Sequence, residues 1–441
     1  MACKQLKIGI FFDGTGNSKE EYEEYSNIAK LSNLYRVLND EELPHESGKV
    51  TSEKIYVTGI GTANAQQYME VDTPDGYSKY GYDKDEGTAE LATGGGGAKR
   101  IYDTIDRVVE LLDAHPYDKS DPDKFHKREL DVFGFSRGAA EARDFVNTLI
   151  EKKINKYPKK YGDVRFNFIG IFDTVGSFGI AGNAIDMKPK KEHLSKSSES
   201  DDFYMGALKN TIFGSTTLDH KDDKNFEAYN FNLASSQAKQ IVHITASQEV
   251  RHNFPLYSAR GAAREFSCIG VHSDIGGGYG HKNIEMLAMK VTTENAHRSK
   301  EMKQRGWTYN PHFKSIQKQR SVDNALAYAH LQLMHTLASK AGVPLKMVKG
   351  TASGKVGEYA SAICANPSQA EQYHDKETII ENFCHQSATH PSVTQYYPYP
   401  LRLPASMGEA VSSNIANVQN NMVQRAIYHN NTFKAVIPKK S

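Results

Sequence analysis

Long hydrophobic runs are missing from this 441-residue chain: no segment approaches the ~18 consecutive apolar positions that a membrane-spanning helix requires. Cysteine is scarce, and Cys3, Cys268, Cys364 and Cys384 include no CxxC pair and no metal-finger spacing. That scatter argues against a structural zinc site and suits a chain folded in a reducing compartment. Net charge is also lacking, because 54 Lys and Arg nearly cancel 53 Asp and Glu. No overall field draws the protein to nucleic acid or to anionic lipid, so any lipid contact has to be apolar and local. The opening MACKQLKIGIFFDG carries a short apolar run that stops at Asp13, without the length or cleavage site of a signal peptide. We expect synthesis in the cytoplasm and, if the protein is exported, a route that reads no signal peptide.

What is present, 39% hydrophobic and 24% charged residues, is ordinary for a globular protein with one large core or two smaller ones. The rest of the chain is organised around residues 129–150, ELDVFGFSRGAAEARDFVNTLI. Leu130, Val132, Phe133 and Phe135 read as a buried strand; Ala139, Ala140, Phe145, Val146, Leu149 and Ile150 make the apolar face of a helix. Ser136 sits at the junction, with Gly134 two residues before it and Gly138 two after. Those glycines let a sharp strand-to-helix turn form without a Cβ clash and push the serine Oγ into the open, the nucleophile elbow of an α/β hydrolase. A bare GxSxG arises by chance in many chains; the strand before it and the helix after it set this one apart.

The same alternation runs along the chain. Residues 6–12 predict a buried strand ending in the glycine loop DGTGN, and Ile28, Leu31, Tyr35 and Leu38 recur at helical spacing after Ser26, a candidate cap. Further strands are expected at 54–58, 166–172, 241–247 and 265–272. The run TGGGGAKR at 93–100 precedes another helix, and four glycines there are able to cradle a phosphate. The GK[ST] ending of a P-loop is absent, so a tight or mobile loop is the preferred reading. Beyond residue 300 the pattern turns helical: Val322, Leu326, Ala329, Leu333 and Leu337 form a stripe, with Ser321 as cap and Gly342 and Pro344 as stop. We therefore expect one elaborated domain with a doubly wound, mostly parallel sheet. Its catalytic core spans 1–300, with an insertion at 180–225 as candidate lid, although a solvated loop accounts for that stretch nearly as well. A mainly helical elaboration, 301–441, packs on the core.

Polar residues at strand ends occur in the order Asp13, Ser136, Asp173, Glu249, His272, and in such a sheet all gather at the carboxyl edge. A serine hydroxyl is a weak nucleophile until a neutral imidazole takes its proton, and a carboxylate must fix the tautomer of that imidazole. His272 is the candidate base, with His385 and His390 as competitors. Asp173, which ends its strand directly, is the preferred acid. Glu249 is the alternative, since the acid in this fold usually follows the next strand. Two N–H groups are needed for the oxyanion: that of Arg137, and that of Gly14 or Thr15. Asp274, in the loop GVHSDIGGGYGH, either orients that loop or caps it. Asp13 also fits an aspartyl phosphotransferase nucleophile, but the second aspartate expected two residues on is Thr15. No metal and no cofactor are called for.

With FFDGTGN, GFSRGAA, IFDTVGSFG and GVHSDIGGGY in that order, the chain resembles the type VI secretion phospholipase effectors that carry an α/β-hydrolase catalytic domain. YVTGIGT, TASQEVRHNF and the helix ending ASKAGVPL extend the likeness to about residue 345. The resemblance implies an antibacterial toxin that cleaves fatty acyl esters of phospholipids at a membrane surface, with Ser136, Asp173 and His272 as triad. It further implies delivery on a type VI spike protein into the periplasm of a target cell and a cognate immunity protein at home. Two alternatives stay open: a serine esterase acting on another ester or an acylated glycan, and a catalytically dead hydrolase fold serving as a binding module of the secretion machine.

Overall fold

The computed structural model describes residues 3–19, 25–43, 46, 48–62, 67–81, 97–121, 123–176, 229–249, 254–280, 283–290, 303–304, 306–310, 315–348, 350, 352–385, 425, 427–430 and 435–436. Contacts divide the chain into a unit of residues 1–185 with 231–441, which holds every described strand and helix, and a unit of residues 186–230. The candidate lid at 180–225 and the first glycines of TGGGGAKR lie outside the described residues.

The chain begins with β1 (Cys3–Phe12), crosses through α1 (Asn27–Leu34) and a short β2 (Leu38–Glu42), and returns as β3 (Gly48–Val57) parallel to β1. β4 (Met69–Thr73) and β5 (Gly76–Tyr80) extend that side antiparallel. After α2 (Gly97–Ala114) the path reverses, and β6 (Phe125–Phe135) lies parallel to β1 on its other flank. α3 (Arg137–Leu149) and α4 (Pro158–Tyr161) lead to β7 (Arg165–Phe172), β8 (Ala238–Ala246), a two-residue β9 (Leu256–Tyr257), and β10 (Arg264–Cys268). β7, β8 and β10 add outward in parallel, giving a nine-stranded sheet in the order β10-β8-β7-β6-β1-β3-β4-β5, with β2 paired to β3. The result is a mixed α/β protein with a mostly parallel central sheet. Because β3 and β6 leave β1 in opposite directions, a crevice opens where the chain emerges from β1 and β6, and those are the loops that carry Asp13 and Ser136.

Strands apolar on both faces need cover on both. Successive side chains alternate, so Phe11 meets Tyr35 at the end of α1 and stacks on Phe133, while Phe12 packs against Phe145 of α3. The first face continues into the core that includes Phe168, Phe172, Val242, Ile244 and Leu333. Downstream come α5 (His272–Gly276) and a three-stranded antiparallel sheet of β11 (Asn283–Lys290), β12 (Thr308–Asn310) and β13 (Ser315–Val322). Helices α6 (Ala325–Lys340), α7 (Gly354–Ala365) and α8 (Lys376–Phe383) follow. Finally β14 (Ile427–Tyr428) pairs in parallel with β9 and antiparallel with β15 (Ala435–Val436).

Ser26 caps α1 as expected, its Oγ accepting from Ala29 N at 3.0 Å. That helix is shorter than its stripe: Tyr35 is already extended, and Leu38 belongs to β2, where pairing with β3 outcompetes helical periodicity. Ser321 and Val322 lie in β13, so the long helix starts later, after Asn324. Its stop is as read, with Gly342 at φ 84°. The strand expected at 265–272 ends at Cys268, and His272 instead opens α5.

Gly138 shows how tightly the two loops abut. A Cβ there would stand 2.2 Å from the Asp13 carbonyl oxygen and 2.4 Å from that of Phe12, both backbone atoms that cannot rotate away. Gly138→Ala is expected to destabilise the protein by about 1–3 kcal/mol or more. Urea unfolding reads this as a lowered midpoint at unchanged slope; an unmoved midpoint would contradict the close approach.

Candidate active site

The turn from β6 to α3 puts Ser136 at φ 58° and ψ −125°, a conformation that non-glycine residues rarely adopt. It is held there because the Ser136 N–H donates to Phe172 O at 3.1 Å and its carbonyl accepts from Val175 N at 3.2 Å. The Ser136 side chain makes no capping bond to α3. It is turned instead toward His272, whose Nε2 lies 2.8 Å from Oγ. The hydroxyl is less open than the sequence suggested, for Ser136 is only 5% exposed. The His272 ring sits against it, packed in turn on Phe135 and edge-on to Phe254, with centroids 4.6 and 4.9 Å away.

On the other side of the ring, His272 Nδ1 is 2.7 Å from Asp173 Oδ2. Asp173 follows β7 directly and is also strained, at φ 38°. Its Oδ1 accepts from Ala246 N at 2.8 Å, and the guanidinium of Arg425 grips both oxygens, Nη1 reaching Oδ2 at 2.7 Å and Nη2 reaching Oδ1. Burial alone would push the Asp173 pKa up; the Arg425 charge and the hydrogen bonds from Arg425 and His272 outweigh it and hold the carboxyl well below the usual range. An ionised carboxylate only accepts, so Nδ1 carries the ring proton and Nε2 presents a lone pair to the Ser136 hydroxyl.

The other candidates occupy definite places. Glu249 meets His272 at the backbone, its Oε2 accepting the His272 N–H at 3.1 Å. Asp274 ties the loop together: Oδ2 accepts from Val271 N at 3.0 Å and His385 N at 2.9 Å, and Oδ1 meets His385 Nδ1 at 2.6 Å. The other ring nitrogen of His385 accepts from Asn283 Nδ2 at 3.1 Å, so this histidine is committed away from Ser136. His390 lies outside the described residues. Asp13 is buried beneath the first loop, where it accepts from Tyr56 and, at 2.7 Å, from Gly14 N. Burial lifts its pKa to about 6 against the pull of hydrogen bonds from Ser26, Tyr56 and Gly14. Gly14 therefore spends its N–H on Asp13, and the other first-loop candidate is Thr15. The side chain of Arg137 reaches across to it, Nε donating to Thr15 Oγ1 and joining the elbow to the first loop.

Two features had no signal in the sequence. Arg425 lies 252 positions from Asp173, in a tail without pattern. Behind Asp173, Thr174 N donates to His243 Nε2 at 3.2 Å, and His243 Nδ1 faces Glu265 Oε2 at 3.0 Å. His243 and Glu265 occupy neighbouring strands, but nothing in their local sequence marks them as a pair.

The chain matches the family described as T6SS, Phospholipase effector Tle1-like, catalytic domain, over residues 7–153 and 150–299. None of the curated proteins matches it. Among solved structures, a Tle1 effector bound to the VgrG spike of the type 6 secretion system aligns with a TM-score of 0.52 at 20% identity, over 88% of this chain and 85% of that one. An uncharacterized protein from Pseudomonas aeruginosa aligns at a TM-score of 0.43 and 18% identity, over 94% of this chain and 62% of that one. At such identities the structural likeness speaks to fold alone, whereas the family match covers more than half the chain: this protein belongs to the Tle1-like family of type VI secretion phospholipase effectors.

Proposed function

We propose that the protein is a serine-dependent phospholipase of the A type, cleaving a fatty acyl ester of membrane phospholipids through an acyl-enzyme on Ser136. The observation that carries this reading is the unbroken hydrogen-bonded line from Ser136 Oγ through His272 to Asp173, at the crevice where strand order reverses. The family match supplies the substrate class. The reversal about β1, with covering helices and the chain order serine, acid, histidine, supports a doubly wound α/β-hydrolase core.

In this mechanism His272 Nε2 takes the Ser136 proton as Oγ attacks the ester carbonyl, and the imidazolium is stabilised by Asp173. The negative charge on the tetrahedral oxygen falls to the N–H groups of Arg137, at the start of α3, and Thr15. His272 then gives its proton to the departing lysophospholipid oxygen. Water, deprotonated by the same ring, releases the fatty acid and restores Ser136. Delivery on a spike protein to the periplasm of a target cell, with an immunity protein guarding the producer, completes the proposal; the VgrG-bound Tle1 structure supports the spike.

Ser136→Ala is expected to lower phospholipid hydrolysis by about 10⁴-fold or more without changing the circular dichroism spectrum. Mass spectrometry of the fatty acids and lysophospholipids released from mixed vesicles checks this and reads out sn-1 against sn-2 cleavage; undiminished release would sink the proposal. Asp173→Asn should cost on the order of 10⁴ in kcat, as loss of the triad acid does. Glu249→Gln keeps an oxygen for the His272 N–H and should stay within about tenfold of the parent, because a single neutral hydrogen bond is worth only ~1 kcal/mol. The reverse ranking would move the acid to Glu249.

A further inference from the structure

We propose that Arg425 is a positioning residue for the reaction, delivered by the C-terminal segment to fix the Asp173 carboxylate and to set the proton affinity of the Asp173–His272 pair. The inference rests on the triad reading above and goes beyond it.

The geometry makes the case. All four acceptor directions of Asp173 are used: Ala246 N and Arg425 Nη2 on Oδ1, His272 Nδ1 and Arg425 Nη1 on Oδ2. A carboxylate held in this way cannot rotate, and the bidentate guanidinium fixes its plane as a lysine ammonium would not. Arg425 itself is anchored from several sides, donating to Ala246 O at 3.1 Å while its own segment is clamped by pairing. β14 runs parallel to β9, Ser258 N donates to Tyr428 O at 2.9 Å, and the Tyr257 and Tyr428 rings stack at 4.7 Å. Asn430 closes the clamp, its amide accepting from Leu233 N at 2.9 Å and donating to Leu233 O at 2.8 Å. β9 is in turn fastened beside the site, Tyr257 N donating to Thr174 O at 2.9 Å. A segment built only for stability would not need to bring a guanidinium onto the carboxylate that meets the His272 ring.

The charge has a consequence with a definite sign. A cation in contact with Asp173 offsets the negative field that the carboxylate exerts on the imidazole, so it lowers the affinity of the pair for a proton. Other charged and titratable groups pack about the pair: Glu249 on the His272 backbone, His243 and Glu265 behind Thr174, Arg143 on Tyr257 O and Ser258 O, and Asp274 of α5 with His385, which follows α8. His330 of α6 reaches the Asp274 carbonyl. Replacing Arg425 leaves these side chains in place and removes a cation that acts on Asp173 first and on Glu249 and Glu265 after it, so a change in the pH profile reports on that guanidinium. Removing it raises proton affinity, the base stays protonated to higher pH, and the acid limb of kcat/KM moves upward.

The test is the pH dependence of kcat/KM for phospholipid hydrolysis by the full chain, with labelling of Ser136 by a fluorophosphonate as a parallel measurement. Arg425→Met is expected to move the acid limb up by roughly one to two pH units, and Arg425→Lys to leave it in place at reduced kcat. If Arg425→Met does not fold, Arg425→Gln, which keeps amide donors and removes only the charge, carries the same expectation. An acid limb that stays put in a folded neutral variant overturns the inference, as does failure of both neutral variants to fold, which would make Arg425 purely structural. A parent enzyme that is neither labelled at Ser136 nor dependent on it would defeat the triad reading instead; labelling with an unmoved limb defeats only this inference.

Discussion

A carboxylate with no exposure to water is the constraint from which much of this structure follows. Left alone, a buried charge of that kind would take up a proton, since desolvation in a protein interior costs several kcal/mol. Asp173 remains an anion because a guanidinium, a backbone amide and an imidazole surround it. Each of those partners comes from a different part of the chain, so the requirement of one side chain draws together β7, the end of β8, α5 and a segment near residue 425. The strained φ values of Ser136 and Asp173 belong to the same arrangement. Such conformations persist only where neighbours overdetermine them, and here the hydrogen bonds among Ser136, Phe172 and Val175 do so.

Shape supplies the second constraint. The crevice exists because the path turns back across β1, and it is narrow because glycines let backbones touch. A Cβ on Gly59 would fall 1.7 Å from the Gly14 carbonyl, as the one on Gly138 would collide with Asp13. The first loop is therefore wedged between the elbow and the strand beside it. That is how a loop rich in glycine comes to be a fixed platform rather than a mobile one, with Asp13 tethering it from below through Gly14 N and Tyr56.

Much of this was legible in the sequence, for reasons that can be named. Buried parallel strands are apolar on both faces, so β1, β6, β7 and β8 stand out from composition alone, and the glycines about Ser136 mark a turn that other residues would obstruct. Ser136, Asp173 and His272 could be chosen because each sits just past such a run, and the structure brings those three within bonding distance of one another. What stayed hidden depends on pairing over long separations. Leu38 keeps the helical period but lies in a strand, because β3 offers it a partner; Ser321 looks like a cap but belongs to β13. Nothing in the local sequence separates Gly14 from Thr15, because the bond from the Gly14 amide to the Asp13 side chain depends on how the loop folds. Arg425 had no local pattern at all, since a guanidinium that meets its carboxylate across most of the chain leaves no periodicity behind.

The parallel pairing of β14 with β9 bears on how the protein comes into being. Ribosomes deliver a chain from its amino end at ~5–20 residues per second, so Ser136, Asp173 and His272 all emerge well ahead of Arg425. For an interval on the order of ten seconds the nascent chain holds the three groups without the cation that keeps one of them ionised. The surroundings of Asp173 are thus completed last, and a chain cut short before residue 425 would leave the ribosome without the cation that faces its buried carboxylate.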